Sequence, residues 1–347
     1  IRKFFKTEPQ AYAETEVIHL VSSFFASIFA GKNVAIDHGD GAGMNLMNLA
    51  SGEWDEALVS ATAEGLAEKL PSVALSATLS GSISSYFVEK YGFSSECETV
   101  IWSGDNPCSL IGMGAAMPGK IVISLGTSDT LFAAMSEAKT DPQGFGHAFG
   151  NPAGGYMSLI CFKNGSLARE AVKYEFDLEW SAFEKEGLAE TPIGNWGLMM
   201  LPFYEPEITP LLDTGGPIFS EEGERSAAQV ARAVVEGQFL NMRLHFSWLE
   251  VEPTRISITG GASQNDGIAQ VIANIFGVPV DRLDVPGSAG IGAGMRAAHG
   301  VGGDLTDLES KFSQVQEGST VNPEEGAKEV YNAMLPGFKG FLESQSG

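Results

Sequence analysis

The stretch Lys120-Ile-Val-Ile-Ser-Leu-Gly-Thr-Ser-Asp-Thr-Leu-Phe-Ala-Ala-Met135 sets two apolar runs on either side of a turn of small residues, Gly126-Thr127-Ser128-Asp129. Short apolar runs of Ile, Val and Leu bounded by Gly, Ser and Thr read as buried strands, which predicts strands over 120–125 and 130–135. A third apolar run occupies 156–162. Downstream the pattern alternates: helix 166–172, a long amphipathic helix 226–250, strand 255–259, helix 265–276, strand 280–284 and helix 288–299. Three antiparallel strands feeding parallel strands with crossover helices give an α/β chain built on a mixed sheet flanked by helices. Residues 173–225, rich in Pro, Gly and acidic residues, interrupt the alternation as an insertion, and a last helix is expected over 325–335. Upstream, helical spacing covers 10–30 and 55–69, Asp40-Gly41-Ala42-Gly43-Met44-Asn45 reads as a tight loop, and a strand over 100–102 leads into Ser103-Gly104-Asp105-Asn106. Residues 1–111 therefore read as part of one domain and 112–347 as a complete second one.

Composition narrows the function. The 347 residues carry 21 Lys+Arg against 44 Asp+Glu, a formal net charge of -23, and no basic cluster. Nucleic-acid binding is thereby excluded as an expectation, and any phosphate must be held by backbone N–H groups and a metal ion. Cys97, Cys108 and Cys161 are odd in number and widely spaced, which suits a reducing, cytoplasmic setting and no disulfide framework. The most apolar early segment, 17–30, is too short and too polar to cross a bilayer, so no membrane association is expected. No leader sequence is expected before Ile1, and Asn164-Gly165-Ser166 is taken as a chance sequon. The five histidines show no metal or triad spacing.

Several motifs compete. Gly114-Ala115-Ala116-Met117-Pro118-Gly119-Lys120 has Walker A spacing, but Ile121 stands where Ser/Thr is needed and the segment enters a strand. Gly290-Ile291-Gly292-Ala293-Gly294 misses the dinucleotide spacing and reads as close helix packing. Ser124 to Thr130 can aim successive N–H groups at a phosphate, or be a plain hairpin. Thr259-Gly260-Gly261-Ala262-Ser263-Gln264-Asn265 ends a strand and opens a helix, so a flat ligand can approach it, or it is an ordinary turn. Asp105 follows a strand and a glycine at the domain junction, where a partly desolvated carboxylate serves as a base; a bare Asp there is otherwise a helix cap.

Taken in order, Ser103-Gly104-Asp105-Asn106, Ser124-Leu125-Gly126-Thr127-Ser128 and Thr259 to Asn265 resemble the landmarks of the FGGY carbohydrate kinases. Asp40 to Met47, Asp105-Asn106-Pro107, Ser128 to Phe132 and Cys161 to Leu167 are similar to the xylulose kinases of that family, eukaryotic ones above all. The resemblance covers almost the whole chain. It implies a ribonuclease-H-like, actin-type ATPase fold with one complete C-terminal lobe and the end of an N-terminal lobe. It implies ATP and D-xylulose as substrates with Mg²⁺, Asp105 as general base, and Asp105 and Asn106 on the ketose. Gly126, Thr127 and Ser128 then meet phosphates, and Gly260, Gly261, Ala262, Asn265 and Trp180 the nucleotide. The family's opening Asp/Gly/Thr hairpin, with its phosphate and sugar contacts, is expected upstream of Ile1. Other sugars of the family (ribulose, gluconate, glycerol), an actin- or chaperone-like ATPase and a non-catalytic nucleotide-binding module remain as rivals. A homodimer is expected only from the frequency of two-fold symmetry among oligomers.

Overall fold

The computed structural model describes residues 1–345. Six strands form the main sheet: β1 (Lys120–Leu125), β2 (Asp129–Met135), β3 (His147–Gly150), β4 (Tyr156–Phe162), β5 (Arg255–Thr259) and β6 (Val280–Arg282), ordered β6-β5-β1-β2-β4-β3. β1 pairs antiparallel with β2, closing on Leu125 opposite Asp129, and parallel with β5 on its other edge. β4 joins β2 and β3 antiparallel, and β6 joins β5 parallel. The mixed sheet expected from the sequence is thus present, with β3 as an additional edge strand that its polar His147 and terminal Gly150 had hidden.

The principal helices are α1 (Val21–Ala30), α2 (His38–Ala42), α3 (Asp105–Gly112), α4 (Ser166–Glu175), α5 (Ala227–Phe246), α6 (Asp266–Phe276), α7 (Ser288–Gly300) and α8 (Ala327–Glu343). Strand alternation decides which helix covers which face. Ile121, Ile123 and Leu125 of β1 join Leu131, Ile256 and Ile258 in a core closed by α5 and α6, whereas Val122 and Phe132 pack with Leu110 and Met113 at the end of α3. α5 starts with a capping box, Ser226 with Gln229, and is buried along most of its length.

Several local expectations change. The helix expected over 10–30 is broken: the backbone N–H of Ile18 donates to the Lys69 carbonyl (2.7 Å) and Lys69 Nζ to the Thr15 carbonyl (2.6 Å), holding 15–20 extended. The 55–69 helix splits at Gly65, whose φ of +69° suits a left-handed break, into Glu56–Thr62 and a 3-10 turn at Leu66–Lys69. Asp40 to Asn45 is not simply a loop. Asp37 accepts the backbone N–H of Asp40 (2.9 Å) and so caps α2. The strand before Asp105 is Glu98–Val100, and α8 runs through Pro336 because Phe338 and Leu342 continue its buried stripe.

α3 and α7 cross with their backbones in contact. A Cβ at Gly292 would lie 1.8 Å from the carbonyl oxygen of Cys108, and one at Gly112 would lie 2.0 Å from that of Ser288. The close helix packing expected of the Gly290 to Gly294 run is thus met at Gly292 alone, since a Cβ at Gly290 or Gly294 meets nothing within 4 Å, and it seats α3 at Cys108 and Gly112. Lys120 of the Walker-like segment pairs with Glu309 (3.1 Å) at the start of β1, which leaves it no phosphate role.

Candidate active site

The turn between β1 and β2 is anchored from below. The Gly126 carbonyl accepts the N–H of Ser166 (2.9 Å) and the Thr127 carbonyl that of Gly165 (3.2 Å), both at the start of α4. Gly165 has to be glycine, since a Cβ there would stand 2.7 Å from Asp129 Oδ1 and 2.8 Å from the Gly126 oxygen. Asp129 and Arg169, each 1% exposed, form a bidentate pair at 2.9 and 3.1 Å. Burial pushes the Asp129 carboxyl up, and Arg169 together with the Gly126 N–H opposes that. Gln238 of α5 extends the network, accepting from Arg169 (3.0 Å) and donating to the Asn164 and Gly165 carbonyls (2.6 and 2.8 Å). With its carbonyls engaged on the inner side, the turn keeps exposed Thr127 and Ser128 hydroxyls and backbone donors for a ligand.

Beside it, β5 ends and the chain turns through Gly260, whose φ is +91° and whose Cβ would fall 2.4 Å from the Leu125 carbonyl oxygen. Glycine is needed here because two strand ends touch. Asn265 caps α6, its Oδ1 accepting the Ile268 N–H (2.8 Å), while its Nδ2 donates to Glu184 Oε2 (3.1 Å). Glu184 also accepts the Gly267 N–H (3.3 Å).

Gly126, Thr127, Trp180, Gly261, Ala262 and Asn265 line one cavity of about 500 Å³. Six of the ten expected residues therefore share a single space, although they lie on three separate stretches of chain. Gly260 and Ser128 sit beside it without lining it. Trp180 stands at its edge, 42% exposed, edge-on to Phe183. Arg169, Glu170 and Glu184 also line the cavity and were not expected from the sequence. A Cβ at Gly261 meets nothing within 4 Å. If the nucleotide expected from the sequence lies flat against this backbone, Gly261→Ala leaves Tm unchanged while weakening its affinity about tenfold, because only the ligand feels the methyl; calorimetric titration beside a melting curve separates the two effects.

Asp105 and Asn106 lie elsewhere, at the start of α3. Gly104 occupies the cap position and Asp105 is the first helical residue, its Oδ1 accepting the N–H of Asn106 (2.8 Å). The alternative of a helix-capping Asp105 therefore gives way to an exposed carboxylate at a helix N-terminus, where the helix dipole favours its charge. Its exposure also departs from the expected partial desolvation. Behind it lies a polar knot. Asp37, fully buried, accepts from the hydroxyls of Ser76 and Ser103. Burial alone raises the Asp37 carboxyl, but hydrogen bonding from His38, the charge of Arg296 and the two serines outweigh it and hold it below its usual value. Asp40, bonded to Ser22, is pushed up by burial and then by the neighbouring carboxylates of Asp37 and Asp105. Another cavity, of about 620 Å³, beside Ser103 is walled largely by apolar groups such as Phe29, Val100 and Trp102 and holds none of the expected residues.

Models of the FGGY family of carbohydrate kinases match residues 2–112 with the family's N-terminal domain and 121–301 with its C-terminal domain. The chain belongs to the FGGY family of carbohydrate kinases. Among FGGY relatives, the rat xylulose kinase is 42% identical over 351 residues, covering 97% of this chain and 64% of the rat protein. The chain thus spans just under two thirds of that relative's length. Ligand-bound xylulose kinase from Lactobacillus acidophilus superimposes with a TM-score of 0.84 at 22% identity, over 100% of this chain and 71% of that one. Gluconate kinase from the same organism gives 0.84 at 22%, over 99% and 71%. The FGGY, actin-type fold is common to both sugar classes. No helix among the described residues is long and apolar enough to cross a membrane.

Proposed function

We propose that the full-length gene product is a xylulose kinase, transferring the γ-phosphoryl group of ATP to a hydroxyl of D-xylulose to give D-xylulose 5-phosphate and ADP in the cytoplasm. The observation that carries the kinase reading is the convergence of the β1–β2 turn and the Gly261 to Asn265 turn on one cavity. The sugar is supported by the 42% identity to a relative named as xylulose kinase. The two lobes are residues 1–111 and 112–347, with the nucleotide in the second and the ketose held at Asp105 and Asn106.

In this reading the adenosine lies along Gly261, Ala262 and Asn265 beneath Trp180, which directs the phosphates toward Gly126, Thr127 and Ser128. Catalysis then rests mostly on positioning and electrostatics. The sugar hydroxyl attacks the γ-phosphorus in line, its proton passing to Asp105 as the O–P bond forms and the bond to ADP breaks. The cavity wall offers two carboxylates, Glu170 and Glu184, and a single cation, Arg169, already paired with Asp129. Such a wall suits a nucleotide arriving with its own counter-cation. No group of three or more His, Cys, Asp or Glu among the described residues could cage a metal; a Mg²⁺ arriving with the nucleotide would face Glu170 and Glu184 of the cavity wall and would supply neutralisation of phosphate charge.

A coupled assay of ADP release against ketoses and polyols tests the reading. The highest kcat/KM is expected with D-xylulose. A preference for gluconate, ribulose or glycerol overturns the substrate, and ADP release indifferent to any sugar overturns the kinase.

A further inference from the structure

The chain leading to Asp105 leaves regular strand pairing at Val100, yet its last residues are held at two points. Arg296 of α7, 5% exposed, donates through Nη2 to the Ile101 carbonyl (2.8 Å) and the Ser76 carbonyl (3.0 Å). Asp37 holds the Ser103 hydroxyl, and the same Nη2 lies 3.9 Å from Asp37 Oδ1. One face of the turn is closed as well, since a Cβ at Gly104 would stand 2.6 Å from Asp40 Oδ1. Arg296 is four residues beyond Gly292, so the same backbone-to-backbone crossing that seats α3 delivers the guanidinium to the turn. A buried ion pair is a weak source of net stability, but here two carbonyls and the Asp37 carboxylate fix the direction of the guanidinium. Arg296 even leaves its Nε without a partner among the described residues.

We infer that Asp37 and Arg296 are positioning residues for Asp105, acting through the Ser103 hydroxyl and the Ile101 carbonyl. The inference rests on the kinase reading. Arg296 belongs to the proposed ATP lobe and the turn to the proposed sugar lobe, so the placement of the base is tied to the relative seating of the two.

Two serines bonded to one carboxylate supply the test. Ser76→Ala and Ser103→Ala each remove one hydroxyl from Asp37, and the buried Ser76, whose hydroxyl also lies 3.4 Å from His38 Nδ1, has at least as much structure to lose as the part-buried Ser103. Only Ser103 lies in the turn. In the full-length gene product, Ser103→Ala is expected to lower kcat about tenfold, because a small misplacement of a reacting group is expensive. KM for ATP should match that of Ser76→Ala and Tm should be no lower, while kcat of Ser76→Ala stays within about twofold of the parent, and Ser103→Thr, which keeps the hydroxyl, should recover most of the loss. Equal kcat in the two alanine variants, or a loss in Ser103→Ala that follows Tm alone, refutes the inference. Absence of ketose-dependent turnover in the parent refutes the kinase reading, and this inference with it.

Discussion

Replacing Asp105 by asparagine in the full-length gene product will lower ketose-dependent kcat about 10³-fold while leaving the affinity for ATP unchanged. A positioned general base contributes roughly 10²- to 10⁴-fold, and asparagine keeps the size and the acceptor oxygen that Asp105 offers to the Asn106 N–H. It removes only the basicity. The cavity proposed for the nucleotide is built from other segments, so ATP titration should not register the change. Stability should fall by less than about 1 kcal/mol, the usual worth of a carboxylate at an exposed helix N-terminus. Steady-state kinetics with D-xylulose, paired with nucleotide calorimetry, measures both. A loss in kcat smaller than about tenfold means that another group takes the proton.

Gly292→Ala should produce the largest loss of stability of any single methyl added to this chain. Its Cβ would lie 1.8 Å from the Cys108 oxygen, 2.7 Å from the Cys108 carbonyl carbon and 2.8 Å from the Gly112 nitrogen, all backbone atoms with no rotamer to escape into. α3 and α7 must separate, at a cost of about 3 kcal/mol once overpacking has outweighed the better helix propensity of alanine. Tm falls by roughly 4 °C at the unfolding entropy usual for a chain of this length. Gly294 lies on the same helix with nothing within 4 Å of its Cβ, so Gly294→Ala keeps only the propensity gain and should match or exceed the parent in a melting curve. Similar losses in both variants would show that backbone contact at the crossing is not what makes glycine necessary. Because α3 carries Asp105, kcat should fall in Gly292→Ala even below its transition.

The sheet was legible because burial on both faces leaves a mark in the sequence: β1 and β4 match the apolar runs 120–125 and 156–162 end for end. The small-residue turns beside them were equally readable, since glycine at 260 reports a backbone that another strand end approaches. What could not be read is anything held from a distance. Ser103 meets Asp37 across 66 residues, Arg296 reaches Ile101 across 195, and Glu184 meets Asn265 across 81. Arg169 falls two residues past the Cys161 to Leu167 stretch, but only its burial against Asp129 gives it a role. α3 itself was hidden by Pro107, which looks like a breaker yet sits in the first helical turn, where no N–H is missed.

The anchored turn between β1 and β2 also bears on how the site responds to its medium. Its carbonyls are tied to α4 and its nearest cation is neutralised by Asp129, so whatever it holds is held by oriented dipoles at short range. Dipole contacts inside a cavity are little affected by mobile ions, whereas repulsion between a polyanion and a chain of net charge -23 is screened within about 10 Å at 0.1 M ionic strength. Raising the salt therefore loosens no contact at this turn and lowers the barrier to approach. Nucleotide association with this fold should quicken as ionic strength rises, the reverse of a site lined with lysines.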